Sequence, residues 1–199
     1  MLKAYFIAEL LEAGCDEAGR GCLAGPVVAA AVVLPPDYYS PVLTDSKKLS
    51  EKKRIQLRAE IEKEAVDYAV AFVDHTEIDL LNIQKASIKA MHLALEKLKV
   101  QPGHILVDGN RFYSYRQIPH TCIVKGDSLY FSIAAASVLA KTSRDDFMVQ
   151  LHQQFPEYGF AVHKGYPTKE HRRAILQYGI TNYHRRSFKL LDAQTSLDF

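Results

Sequence analysis

The order of apolar and polar positions divides the chain into short apolar runs separated by longer mixed segments. Residues 11–15 form a first apolar run, read as a strand. Residues 26–34 (PVVAAAVVL) form a second; β-branched residues without alternation predict a strand buried on both faces. The ten residues between them turn the chain back, which predicts a hairpin, and Pro35-Pro36 stops the second strand. Ser50 is a good N-cap with Glu51 close behind, so a helix is expected over 51–64. Its many charges predict an exposed face. Residues 66–73 alternate as a third strand. Residues 79–99 carry Ile83, Ile88, Met91, Leu95 and Leu98 on one broad apolar face of a helix, ended by Pro102-Gly103. A fourth strand at 104–107 runs into Asp108-Gly109-Asn110, and a fifth at 121–124 ends in Lys125-Gly126-Asp127. The segment between them, 112–119, reads as a loop. A long helix follows over 128–155, where Ala134-Ala135-Ala136 allows close approach to a sheet. The loop 163–167 leads to a helix capped by Thr168, and the pattern fades after Phe188.

A hairpin followed by strand–helix units predicts an α/β fold, a mixed sheet with helices on its faces. No repeat, linker or low-complexity tract interrupts it, so one domain is expected over 1–188 with a short tail at 189–199. The 199 residues are 48% hydrophobic and 24% charged, enough to bury a sizeable core. A net charge of +2 is too mild to prove a polyanionic partner; any basic surface must come from local clustering. Three cysteines without a C-x-x-C argue against a disulfide framework or a zinc site and fit a reducing compartment. With no 18-residue apolar run and no cleavable leader pattern, a cytoplasmic protein without a membrane partner is expected. Nothing in the sequence points beyond a monomer.

Three strand ends carry acids: Asp16-Glu17, Asp108 and Asp127. Residues just past strand ends in an open α/β sheet gather at one crevice. Four carboxylates without cysteine or histidine partners make a hard, all-oxygen set suited to Mg²⁺ or Mn²⁺. Adjacent acids repel by roughly 4 kcal/mol at about 4 Å and an effective dielectric near 20, and a multivalent cation removes that cost. Strand residues alternate faces, so Asp16 and Glu17 share an ion only if the strand ends near Glu17. Gly19 and Gly21 supply such an ending and let bare backbone approach a ligand. Taken singly, each acid has a plain alternative: Asp16-Glu17 a solvated turn, Asp108 a D-G turn residue, Asp127 the N-cap of the long helix.

Seven stretches, taken together, resemble the type 2 ribonuclease H family, bacterial ribonuclease HII. They are GCDEAGRG at 14–21, TDSKKLS at 44–50, ILVDGNR at 105–111, KGD at 125–127, IAAASVLAKTSRD at 133–145, HKGYPT at 163–168 and HRRSF at 184–188. The resemblance spans residues 14 to 188. It implies a ribonuclease H-like fold with a central five-stranded mixed sheet flanked by helices. It also implies hydrolysis of the RNA strand of RNA–DNA hybrids, and incision 5′ of single ribonucleotides embedded in duplex DNA. Products would carry 3′-hydroxyl and 5′-phosphate ends. By motif, Asp16, Glu17, Asp108 and Asp127 are the catalytic, metal-binding acids. Asp145 competes for the fourth place, but its helical position favours an ion pair.

A ribonucleotide is told from a deoxyribonucleotide by its 2′-hydroxyl. Gly19, Arg20 and Gly21 can bring backbone against it, and the resemblance assigns them that role. It gives Tyr166 the deoxyribose that follows; the residues alone allow a buried loop tyrosine. Ser137 and Lys141 share a helix face expected to approach the substrate backbone. Lys47, Lys48, Lys125, Arg144, His163, Lys164, Arg185 and Arg186 lie near the motif loops, where phosphate contact and plain surface charge are both open. The terminal residues resemble the Q-x-x-L-x-F peptide that binds bacterial sliding clamps, through Gln194, Leu197 and Phe199; a frayed or folded-back tail is the alternative. Two rival functions remain at this level: another ribonuclease H-like nuclease, such as a junction resolvase or exonuclease, and a nucleic-acid binding module without catalysis.

Overall fold

The computed structural model describes residues 2–44, 46 and 49–191. Lys47, Lys48 and the tail residues Gln194, Leu197 and Phe199 lie outside them. Five strands form one sheet in the order β3-β2-β1-β4-β5, the mixed five-stranded sheet the sequence predicts. The strands are β1 (Glu12–Ala18), β2 (Val27–Val33), β3 (Asp67–Val73), β4 (His104–Asp108) and β5 (His120–Ile123). β1 to β3 are antiparallel neighbours, whereas β1, β4 and β5 run parallel. β2 is buried along its whole length, as its unbroken apolar run requires.

The helices are α1 (Glu51–Glu64), α2 (His75–Leu81), α3 (Ile83–Glu96), α4 (Phe131–Gln154), α5 (Phe160–His163) and α6 (Lys169–Tyr178). Alternation along β1 splits the core in two. Ala13 and Cys15 face α3, with Ala90, Met91 and Leu95. Ala18 faces α4, with Ala135, Val138 and Leu139. α4 lies so close to β1 that a Cβ on Gly14 would sit 2.2 Å from the Ser132 carbonyl carbon. The alanine run on α4 permits that approach. α1 packs on α4 and buries only Leu57 and Ile61, so its remaining faces stay wet. Ser50 caps it, accepting from the Lys53 N–H at 3.3 Å.

Four expectations change. The helix expected over 79–99 is two helices, because Asn82 adopts φ 69° and its side chain caps α3. α2 starts earlier, at His75, under an Asp74 cap that accepts from the Glu77 N–H at 2.9 Å. The long helix starts at Phe131 after a 3-10 turn, Gly126–Ser128; Asp127 lies in that turn and is not the cap of α4. β1 runs three residues past the 11–15 run, to Ala18, which still pairs with Val28, and so ends just beyond Glu17 at the glycine turn.

Candidate active site

The parallel register of β1 and β4 decides where the acids meet. Cys15 pairs with Val107, so Asp16 and Asp108 stand side by side at the carboxyl ends of two neighbouring strands. Because β1 continues, Asp16 is carried toward α4 and Glu17 toward α3. Two cavities open at this edge and share Glu17, Arg20 and Asp108. One, of about 220 Å³, is lined also by Asp16, Gly21, Ser137, Lys141 and Tyr166. The other, of about 310 Å³, reaches under Gln84, Ser87 and Asn110. None of these last three was singled out in the sequence; Asn110 alone had a signal, since it stands two residues past Asp108.

Asp16 is buried. Its carboxyl is pushed well above the usual range by burial, then by the charges of Glu17 and Asp108; hydrogen bonds from Ser137 and from the Glu17 N–H (2.7 Å) oppose the shift. Glu17 pairs with Arg20 at 3.1 Å. Asp108 accepts the Gly126 N–H at 2.7 Å. Asp127 is buried one residue beyond Gly126 and lines neither cavity. Among the described residues, no three Asp, Glu, His or Cys side chains are gathered closely enough to ligate one ion. The donor chemistry nevertheless fits a hard divalent cation. It is all oxygen, and the repulsion that disfavours the charged form of Asp16 is what a cation offsets.

The glycine turn is held from behind by two buried guanidinium groups. Arg185 donates to the carbonyls of Arg20, Gly25 and Pro26, each at 3.0 Å. Arg144 donates to Pro26 (3.0 Å), Ala24 (3.1 Å) and Lys164 (2.8 Å). Both side chains are at most 1% exposed, so neither reaches a phosphate; that corrects the open reading of them as phosphate contacts. Gly19 has φ +95° and lies against Arg144, where a Cβ would come within 2.0 Å of Nε. Gly21 differs: a Cβ there would meet nothing within 4 Å, so its bare face is toward the cavity.

Tyr166 stands across the cavity, 39% exposed, with the Arg144 guanidinium 5.9 Å from its ring centre. Gly165, at φ +82°, brings this loop onto the glycine turn, where its carbonyl accepts the Leu23 N–H at 2.8 Å. Ser137 meets Ser46 at 2.9 Å, tying α4 to the segment that precedes α1. Lys141 binds both oxygens of Asp145 at 2.5 Å, so Asp145 makes the ion pair expected of it. Lys164 turns back to the Ala161 carbonyl, and the Arg186 N–H donates to Asp79.

A five-stranded mixed sheet in this order, with acids at adjacent parallel strand ends, is the arrangement of a ribonuclease H fold, and comparison with known proteins places the chain in its class of metal-dependent ribonuclease H hydrolases. Residues 13–191 match the family model described as Ribonuclease HII. The chain is 59% identical to the ribonuclease HII of Parabacteroides distasonis over 199 residues, all of both chains. Among solved structures, it resembles the ribonuclease H2 of Pyrococcus horikoshii (TM-score 0.76, 26% identity, 90% of this chain and 94% of that one). It also resembles the RNase HII of Archaeoglobus fulgidus, solved in a complex with PCNA (TM-score 0.75, 27% identity, 92% and 96%). The chain belongs to the ribonuclease HII family.

Proposed function

We propose that this ribonuclease hydrolyses the RNA strand of RNA–DNA hybrids and incises 5′ of a single ribonucleotide in duplex DNA, leaving 3′-hydroxyl and 5′-phosphate ends. One observation carries the reading: Asp16, Glu17 and Asp108 share a 220 Å³ cavity with the bare backbone of Gly21 and the ring of Tyr166. Charge for the phosphate and a surface for the sugar therefore lie within one substrate's reach.

Asp16, Glu17 and Asp108 are the carboxylates that Mg²⁺ or Mn²⁺ would draw together, with Asp127 as the fourth beside Gly126. Such an ion supplies Lewis acidity at the scissile phosphate. The chain's own groups do the selecting. Backbone from Gly19 to Gly21 is placed to meet the 2′-hydroxyl, and the open space at Gly21 leaves room for the ribose. Tyr166 lies flat against the following sugar. Ser137 and Lys141 present one face of α4 to the backbone, with Lys141 held in place by Asp145. Lys47, in the segment before α1, is proposed as a further substrate contact. The terminal Gln194, Leu197 and Phe199 are proposed to bind a sliding clamp; the PCNA complex of the A. fulgidus relative lends this support.

The test is a DNA duplex bearing one ribonucleotide, assayed with Mg²⁺, with Mn²⁺ and with chelator. Cleavage one bond 5′ of the ribonucleotide, abolished by chelator, is the expected result. Incision of all-DNA junctions instead would favour a resolvase, and binding without incision a non-catalytic module. Removal of residues 194–199 should abolish clamp binding and spare cleavage.

A further inference from the structure

Three histidines that the proposed chemistry does not use lie against the Tyr166 loop: His163 at the end of α5, His171 on α6, and His184 just beyond α6. Their hydrogen bonds leave one arrangement of protons. The Thr181 N–H donates to Nδ1 of His184 at 2.9 Å, so His184 carries its proton on Nε2. That nitrogen is 3.1 Å from Nε2 of His171, and only one of the two can hold a hydrogen. His171 therefore accepts there and carries its own proton on Nδ1, 2.9 Å from the Tyr166 carbonyl, to which it donates. The same logic fixes His163. Its Nδ1 accepts the Gly165 N–H at 3.1 Å, and its Nε2–H donates to the Tyr158 carbonyl at 2.7 Å. The rings of His163 and His171 stack at 4.5 Å. Consecutive residues of the loop, Gly165 and Tyr166, are thus each held by an imidazole, and neither His171 nor His184 is more than 1% exposed.

We infer that His184 and His171 form a proton-ordered relay of neutral imidazoles that, with His163 stacked on it and holding Gly165, sets the pose of Tyr166, which makes the three positioning residues for sugar recognition. The inference rests on the reading of Tyr166 as the residue that meets the deoxyribose. Its chemistry is specific: the Tyr166 carbonyl, which accepts the Thr168 N–H at 2.8 Å, takes its second donor from His171, and His171 accepts in turn from His184. An asparagine at 171 places its amide nitrogen near the position of Nδ1 and keeps the donor. A leucine removes both functions.

Two measurements decide it. The first compares kcat/KM on a duplex with one ribonucleotide and on an RNA–DNA hybrid, for wild type, Tyr166→Ala, His171→Leu and His171→Asn. His171→Leu is expected to lower the ratio of the two at least fivefold, as Tyr166→Ala does, with His171→Asn restoring most of it. A normal ratio in His171→Leu, alongside a changed one in Tyr166→Ala, overturns the relay. An unchanged ratio in Tyr166→Ala overturns the sugar reading itself and the relay with it. The second measurement needs no variant to fold: ¹⁵N NMR of the imidazoles in wild type at pH 7. Protons on Nδ1 of His171 and on Nε2 of His184 and His163 are expected; a proton on Nε2 of His171 refutes the arrangement.

Discussion

Gly14→Ala is the sharpest perturbation of the scaffold beneath the site. Gly14 needs no unusual dihedral; it is glycine because α4 occupies the space. An added methyl would lie 2.2 Å from the Ser132 carbonyl carbon, 2.4 Å from the Ile133 nitrogen and 2.5 Å from the Ser132 oxygen, all main-chain atoms. Contact becomes ordinary only beyond 3.4 Å, so α4 must withdraw by about 1 Å or β1 must buckle. Overpacking a core costs about 1–3 kcal/mol, and a clash with helical backbone belongs at the upper end. For a domain of this size each kcal/mol lowers Tm by roughly 2–4 °C, so a drop of roughly 6–12 °C is expected. The active site feels the same movement. α4 carries Ser137, Lys141 and Arg144, and a displacement of about 1 Å can cost on the order of 10²-fold in rate. Calorimetry and single-ribonucleotide incision on the same preparation test both halves. A Tm within a degree of wild type would refute the steric argument. A large Tm loss with full activity would refute the coupling of α4 to the site.

Arg185→Leu leaves the carbonyls of Arg20 and Gly25 without this donor, while Pro26 keeps the Arg144 Nε–H; at about 1–3 kcal/mol each, a loss of about 2 kcal/mol or more is expected in urea unfolding, whereas exposed Arg20→Ala should change stability little. Burial pushes His171 and His184 down to about 4, and the proximity of His163 and His184 to His171, and of His75 to His184, acts in the same direction. The unfolded chain then binds more protons than the folded one below the ordinary histidine value. Stability should therefore fall as the pH drops from about 6.5 toward 4, by on the order of 3 kcal/mol per imidazole, and chemical denaturation across that window measures it. Asp108→Asn keeps an acceptor for the Gly126 N–H but removes one of the charges that disfavours ionised Asp16. Without divalent metal this variant should be more stable than wild type, by on the order of 1 kcal/mol, while turnover is lost; melting after chelation, beside a cleavage assay, checks both.

The hairpin, the order of the strands and the acids were legible in the sequence because each has a local cause. An unbroken apolar run made β2, and strand–acid–glycine junctions marked the sheet edge. What escaped depended on single dihedrals or distant partners. The left-handed turn at Asn82 splits one apolar face into two helices without altering its period. The end of β1 depends on Ala18 finding Val28, which no window over residues 11–18 contains. Arg144 and Arg185 look in sequence like any basic residue beside a nucleic-acid site. Only their partners in and behind the glycine turn, more than a hundred residues away along the chain, show that they bind carbonyls.

Those two arginines also explain why arginine is the residue that suits the place. A lysine would offer one point charge, whereas a guanidinium spreads several donors in a plane and each arginine here serves three carbonyls. Arg144 reaches from Pro26 and Ala24, behind the glycine turn, to Lys164 beside the tyrosine loop, and its guanidinium lies against the Tyr166 ring. The two loops proposed to meet consecutive sugars are thus fastened to one side chain, on the same helix that gives Ser137 to Asp16. Loosening Arg144 should change sugar discrimination and the geometry at Asp16 together. A site built from separately mobile loops would let the first shift while the second stayed put.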